Sequence, residues 1–245
     1  MQRSLIKTIF WLSLFAIAMG FLESSVVIYL RELYYPSGFN FPLHVIPEKI
    51  AMVEIWREAA TIIMLIGAAY LAGTTKTTRF AYFLIAFSVW DIFYYVFLYL
   101  FIQWPESLFT WDILFLIPFP WTGPVIAPCL VALGLIAFAY VILYYNEKAS
   151  VKISTLQWSL LIGGCLIIIF SFLLDYFTEI QLQQQSASFL PSKEGLLNEL
   201  KNYVPKKFSW TVFLSGLSVS FIGATLFIKN QRHLHTKHHS QTLNP

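Results

Sequence analysis

Apolar residues along this chain come in long blocks joined by short polar segments, with neither the strict alternation of strands nor the one-sided stripe of surface helices. Six blocks stand out, near residues 8–30, 50–73, 80–102, 123–145, 156–178 and 208–228. A helix rising 1.5 Å per residue needs about 20 apolar residues to cross a hydrocarbon layer of about 30 Å. Each block reaches that length, so the pattern predicts an all-α, six-helix transmembrane bundle. It forms a single polytopic domain over 1–230, with a His-rich tail over 231–245.

The polar joints orient the bundle. Arg3, Lys7, Lys76, Arg79, Lys148, Lys152, Lys229, Arg232 and Lys237 fall on one side. The other side has Arg31 and Lys49 in its first loop and no base between Glu106 and Asp112. Its long third loop, 179–207, offsets its lysines with acids. Lysine and arginine mark the cytoplasmic side, so both termini are expected inside. Arg3, Lys7 and the Ala16-Ile17-Ala18 triplet also fit a cleavable signal peptide, but the apolar run continues to Leu30 and reads as a span.

Two joints promise local structure. The stretch Ser107–Ile117 (SLFTWDILFLI) is apolar, too short to span, and followed by Pro118, Pro120, Pro124 and Pro128. It predicts a short interfacial or re-entrant helix in the outer loop 103–122. Within 192–204, Ser192 can cap a helix whose Leu196, Leu197, Leu200 and Val204 share a face, as in an amphipathic surface helix.

Composition narrows the class. The 245 residues are 58% hydrophobic and 12% charged, with a mean hydropathy of +0.66, against about 25% charged in soluble domains. Soluble, collagenous, disordered and disulfide-stapled secreted chains are excluded. A net charge of +3 suggests no nucleic-acid partner. Cys129 and Cys165 sit inside apolar runs and read as small core residues.

Charge inside the spans is the feature that points to function. The stretches 113–146, 153–174 and 208–228 carry none. The first three spans hold Glu23, then Glu54, Arg57 and Glu58, then Asp91, and the expected topology places them all in the outer half of the bilayer. Ionisable groups at membrane depth are costly unless paired, protonated or wet, and by default they mark a site. Glu54, Arg57, Glu58 and Thr61 share one helix face, as do Ser88, Asp91, Tyr95 and Tyr99, with Tyr94 alongside. Gly20, Glu23, Ser24 and Val27 form a small, mildly polar face on the first span, suited to close packing. These faces predict a polar pocket roofed by Trp104, Glu106, Trp111, Asp112 and Trp121. In it, Asp91, Glu58, Glu54 and Glu23 are the candidate acids, and Arg57, Tyr95, Tyr94, Trp111 and Asp112 the candidate ligand contacts. Four acids against Arg57 leave a surplus that must be protonated, hydrogen-bonded or neutralised by a cation, and protonated acids can donate protons.

No histidine lies in a span, which argues against haem, zinc and His-rich di-iron sites. No metal or other cofactor is expected; if a metal binds, all-oxygen ligation favours a divalent cation such as Mg or Ca. There is no Gly-rich phosphate loop, and no Ser or Cys with a nearby His.

At Phe21–Pro36 (FLESSVVIYLRELYYP), Glu54–Thr61 (EIWREAAT) and Phe83–Pro120, the sequence resembles a bacterial family of small multi-pass membrane proteins. That family carries no assigned activity, so the resemblance implies a bacterial inner membrane and supplies no catalytic residues. The residues themselves point to an intramembrane, outward-facing site for a lipidic or small cationic ligand, with acid-catalysed chemistry on a lipid or isoprenoid as its enzymatic form. Two rivals are a structural or assembly subunit, and a proton-coupled transporter, for which neither an inverted repeat nor broken spans are found. The bilayer is the one certain partner; an oligomer or a partner protein stays open.

Overall fold

In lipid every backbone amide must find its partner within the protein, and the apolar blocks accordingly fold as helices. The computed structural model describes residues 3–36, 38–42, 44, 46–117, 119–148, 151–183 and 203–242. Among these, six helices and one hairpin follow in order: α1 Arg3–Tyr34, α2 Glu48–Ala72, α3 Lys76–Ile102, β1 Trp111–Phe115, β2 Trp121–Pro124, α4 Ile126–Asn146, α5 Thr155–Gln183 and α6 Trp210–Thr242. Five of the helices, α1, α3, α4, α5 and α6, are long and apolar enough to cross a membrane. α2 is not among the five and carries Glu48, Lys49, Glu54, Arg57 and Glu58 in its first half. Large apolar side chains face outward, Leu71 at 87%, Phe221 at 72% and Trp56 at 70% exposure. Water would not tolerate such a surface, and lipid solvates it. The chain is an integral membrane protein.

α3 is the centre of one half of the bundle and packs along α1, α2 and α4. Its start is fixed by a reciprocal cap: the Thr78 amide donates to Thr75 Oγ1 and the Thr75 amide to Thr78 Oγ1, at 3.2 and 2.9 Å. The turn from α2 leaves no room for a side chain at Gly73, where a Cβ would lie 2.6 Å from the Arg79 nitrogen. The small face of α1 seats against α3 as its pattern predicts. Ser24 is fully buried, and a Cβ at Gly20 would lie 3.0 Å from the Trp90 carbonyl. α5 and α6 form a second pair, drawn together where Gly164 meets Gly216 and Ser220. The starts of α1 and α3 lie at one end of the bundle, the N-terminal end; the β-hairpin marks the opposite, hairpin end.

The loop between α3 and α4 departs from expectation. Residues 111–115 and 121–124 are antiparallel strands, with Asp112 opposite Gly123 and Ile113 opposite Thr122, rather than an interfacial helix. Pro120 and Pro124 lack the amide a helix needs, while Trp111, Ile113 and Phe115 suit a pleated strand. Cross-strand pairing then satisfies the backbone at the membrane boundary. The Ile126 and Val125 amides donate back to Leu108 and Thr110, bolting the hairpin to the start of α4. The helix α6 continues through the His-rich tail to Thr242. The amphipathic helix expected over 192–204 falls outside the described residues except Tyr203 and Val204. Of these, Tyr203 is buried and Val204 exposed.

Candidate functional site

The buried charges gather toward the hairpin end in two layers. In the deeper one, Arg57 on α2 is clasped by two acids. Its Nη1 meets the Glu23 carboxylate of α1. Its Nε and Nη2 both donate to Glu54 Oε2, at 2.9 and 2.7 Å. Thr61, one turn further along α2, donates to Glu23 Oε2 at 3.3 Å or to the Arg57 carbonyl at 3.1 Å. α2 packs chiefly on α3, so this clasp is a principal tie between α2 and α1. Glu58, on the same face, accepts the Leu116 amide at 2.9 Å, just beyond β1. That bond pins the hairpin down onto α2.

The second layer lies above it. Arg31, in the last turn of α1, reaches Asp112 of β1 with 3.4 Å between Nη2 and Oδ1. Tyr95 of α3 donates its hydroxyl to the other Asp112 oxygen at 3.3 Å. The Arg31 guanidinium also stacks on Trp104 and Phe39, 3.7 and 4.4 Å from the ring centroids, which stabilises the cation through the aromatic faces. Asp112 lies off the membrane-spanning helices, and its burial lifts the carboxyl to about 6 even though Arg31, the Ile113 amide and the Tyr95 hydroxyl pull the other way.

Asp91 stands one helical turn before Tyr95 on α3, close enough for the Asp112 charge to act on it and for its own to act on Cys129 of α4. Among the described residues its carboxylate makes no hydrogen bond and no ion pair. Two buried polar atoms nearby in sequence or space also lack a hydrogen-bond partner there: Ser88 Oγ, one turn before Asp91, and Arg31 Nη1. Tyr94 is packed against Tyr95, with ring centroids 4.8 Å apart.

The nine candidate residues thus divide. Glu23, Glu54, Glu58 and Arg57 form the lower layer, while Asp91, Tyr94, Tyr95 and Asp112 form the upper. Trp111 points the other way and packs on Phe208 at 6.3 Å, as Trp121 stacks on Phe172 at 6.2 Å. Of the expected roof, Trp104 covers the site, and Asp112 is inside it rather than above it.

Arg31 was expected in a loop as a topology charge, but α1 continues past it and buries it. The sequence signal was available: the segment YLRELYYP gives no helix breaker before Pro36. A third polar cluster also lies at this end. Asp175 of α5 accepts the Tyr203 hydroxyl at 2.7 Å and the Lys206 and Lys207 amides at 3.2 and 2.9 Å, and Tyr203 and Thr122 share a hydrogen bond at 2.8 Å. These contacts hold the segment that leads into α6 against β2. Their backbone amides could not be anticipated from residue types.

With Arg31 and Asp112 included, five carboxylates face two guanidinium groups. The excess sits on Glu58 and Asp91, and among the described residues only the first has a donor. Among the described residues no group of three or more His, Cys, Asp or Glu side chains is arranged to hold a metal ion. No family model matches the chain, and no curated protein or solved structure is detectably similar to it.

Proposed function

We propose that this integral membrane protein, in a bacterial inner membrane with both termini cytoplasmic, uses the upper layer as an outward-facing binding site. Its ligand is lipidic or a small organic cation, with Asp91 as the counter-ion. The observation that carries the reading is the contrast between Asp91 and its neighbours: Arg57, Arg31, Tyr95 or a backbone amide serves every other buried acid in the site, and Asp91 has none among the described residues. A carboxylate held at membrane depth beside a second carboxylate favours either a proton or a cation. Arg31 Nη1 offers a donor to any acceptor on the same ligand. Tyr94, Tyr95 and Trp104 supply aromatic walls that suit an alkylammonium group. In an enzymatic form, a protonated Asp91 is the acid and the substrate enters sideways from the bilayer.

The test is thermal unfolding of the full chain in dodecylmaltoside with and without millimolar hexyltrimethylammonium, since a ligand that binds only the folded state raises Tm. The wild-type protein is expected to gain Tm and the Asp91→Asn variant to gain none. Equal shifts in both, or no shift in either, would remove the binding reading. The structural reading, favoured by the closed Glu23–Arg57–Glu54 clasp, would then stand: the charges staple α1, α2 and the hairpin together.

A further inference from the structure

The two ends of the bundle balance their charges differently. At the hairpin end Arg31, Arg57 and Lys206 each meet a carboxylate. At the N-terminal end Lys7, Lys76, Lys148, Lys152 and Lys229 are exposed, and Glu147 is the one acid among the described residues there. Glu147 faces α1, across a cavity bordered by Leu5 and Thr8.

The fold brings two of these lysines to one edge. Thr77 Oγ1 donates to the Val151 carbonyl at 3.1 Å, tying the first turn of α3 to the segment that leads into α5. Lys76 and Lys152 are the chain neighbours of that bonded pair, each about 3.8 Å of backbone away from it. Both are exposed, and among the described residues neither makes a hydrogen bond or an ion pair. Other bases nearby are engaged. Arg79 donates to the Gly73 carbonyl at 3.0 Å and stacks on Tyr70, while Lys148 Nζ lies over the Tyr144 ring, 2.6 Å from its hydroxyl. About one turn further into the bundle Phe80 of α3 packs on Trp158 of α5, with ring centroids 4.8 Å apart. Tryptophan marks the depth at which headgroups give way to acyl chains, and Leu156 and Ile162 stand exposed beside it on α5.

Two ammonium groups held at one edge without an acid repel each other, so an anion that meets both relieves the strain between them. Basic groups between membrane helices at this depth are suited to anionic headgroups. We infer that Lys76 and Lys152 bind the paired phosphates of a cardiolipin-type phospholipid. Each lysine takes one phosphate across the Thr77–Val151 bond, and the acyl chains run down past Trp158 over the exposed face of α5. The source is a lipid because the lysines stand at the ends of bilayer-spanning helices, with apolar surface directly beside them.

Native mass spectrometry of the full chain, released from phosphatidylcholine nanodiscs that hold cardiolipin and phosphatidylglycerol at equal total phosphate, tests the assignment. The wild-type protein is expected to retain cardiolipin over phosphatidylglycerol by roughly fivefold or more. Lys76→Gln/Lys152→Gln is expected to lose that preference, and Lys76→Arg/Lys152→Arg to keep it. Lys7→Gln/Lys229→Gln, which removes the same charge from the same end, should keep it too. Circular dichroism melts of the four proteins in dodecylmaltoside are expected to coincide, which separates loss of binding from loss of fold. Equal retention of the two anionic lipids by the wild-type protein would overturn the proposal. So would an equal loss in both glutamine variants, which would assign the binding to diffuse charge. Displacement of the retained lipid by millimolar inorganic pyrophosphate would overturn its lipid source and assign the lysines to a soluble diphosphate.

Discussion

Asp112 and Arg31 are 81 residues apart in the chain and meet at 3.4 Å, both buried, with the Arg31 guanidinium over the Trp104 ring. This pair closes the hairpin onto the end of α1. A buried ion pair is held less by its net energy than by the cost of breaking it, because a single deletion strands the other charge. Arg31→Ala is therefore expected to cost about 3–5 kcal/mol. The double variant Arg31→Met/Asp112→Leu should recover most of that loss. Chemical unfolding in detergent micelles reads both, and a double variant no more stable than Arg31→Ala would show that the pair is not what the single change removes.

The same contact is expected to respond to pH. Burial raises the Asp112 carboxyl from its ordinary 3.8 to about 6, so the folded protein holds this proton more tightly than the unfolded chain. The sign follows: the stability that comes from burying Asp112 as a neutral acid is fully present below 3.8 and is lost as pH rises through about 6, where the carboxylate forms and meets Arg31. Relative to Asp112→Asn, the wild-type protein should lose on the order of 2–3 kcal/mol between pH 4 and pH 7, at 1.36 kcal/mol per pKa unit. Trp104 emission should show a transition near pH 6 that the variant lacks, since the guanidinium on its ring is the one that faces Asp112.

The deeper clasp makes an asymmetric prediction. Glu54 lies one turn from Arg57 on α2, while Glu23 reaches it from α1. Either acid alone still leaves Arg57 a partner, but removing Arg57 leaves two facing carboxylates. Arg57→Leu is expected to cost about 3–5 kcal/mol, and Glu23→Gln or Glu54→Gln about 1.5–3 kcal/mol, the range for one charged hydrogen bond. Equal losses from all three would overturn this, since either acid would then matter to the clasp as much as Arg57 itself.

How much of this was legible from the residues follows from the range of the forces involved. Six helices were readable, five of them apolar enough to span, because bilayer thickness imposes one length on each apolar block, and the α1 face at Gly20 and Ser24 because small residues mark close approach. The Glu54–Arg57 pair is local, one turn apart, and was readable for that reason. The hairpin was not, since Ser107–Ile117 is apolar enough for either structure and its strand partner lies beyond Pro118 and Pro120. The Glu58 contact was hidden for the same cause: its donor is the backbone of Leu116, which no residue type announces. Arg31 was misplaced because charge patterns count loop residues without knowing where a helix stops.

The pairing of α5 with α6 rests on glycines that sequence reading passed over, and it separates two neighbours in the chain. A Cβ at Gly164 would lie 2.7 Å from the Gly216 carbonyl and the same distance from the Ser220 nitrogen, so both backbones must part. At Gly163, one residue earlier, a Cβ meets nothing within 4 Å. Helical glycines in open surroundings gain about 0.5–1 kcal/mol from alanine, through the lost freedom of the unfolded chain. Gly163→Ala should therefore be neutral or stabilising. Gly164→Ala is expected to cost about 1–3 kcal/mol, the usual range for overpacking a filled interface. Thermal unfolding of the two variants side by side decides the matter, since they share composition, helix and membrane depth to within one residue. If both proved equally harmless, the α5–α6 contact would have to be looser than the structure draws it.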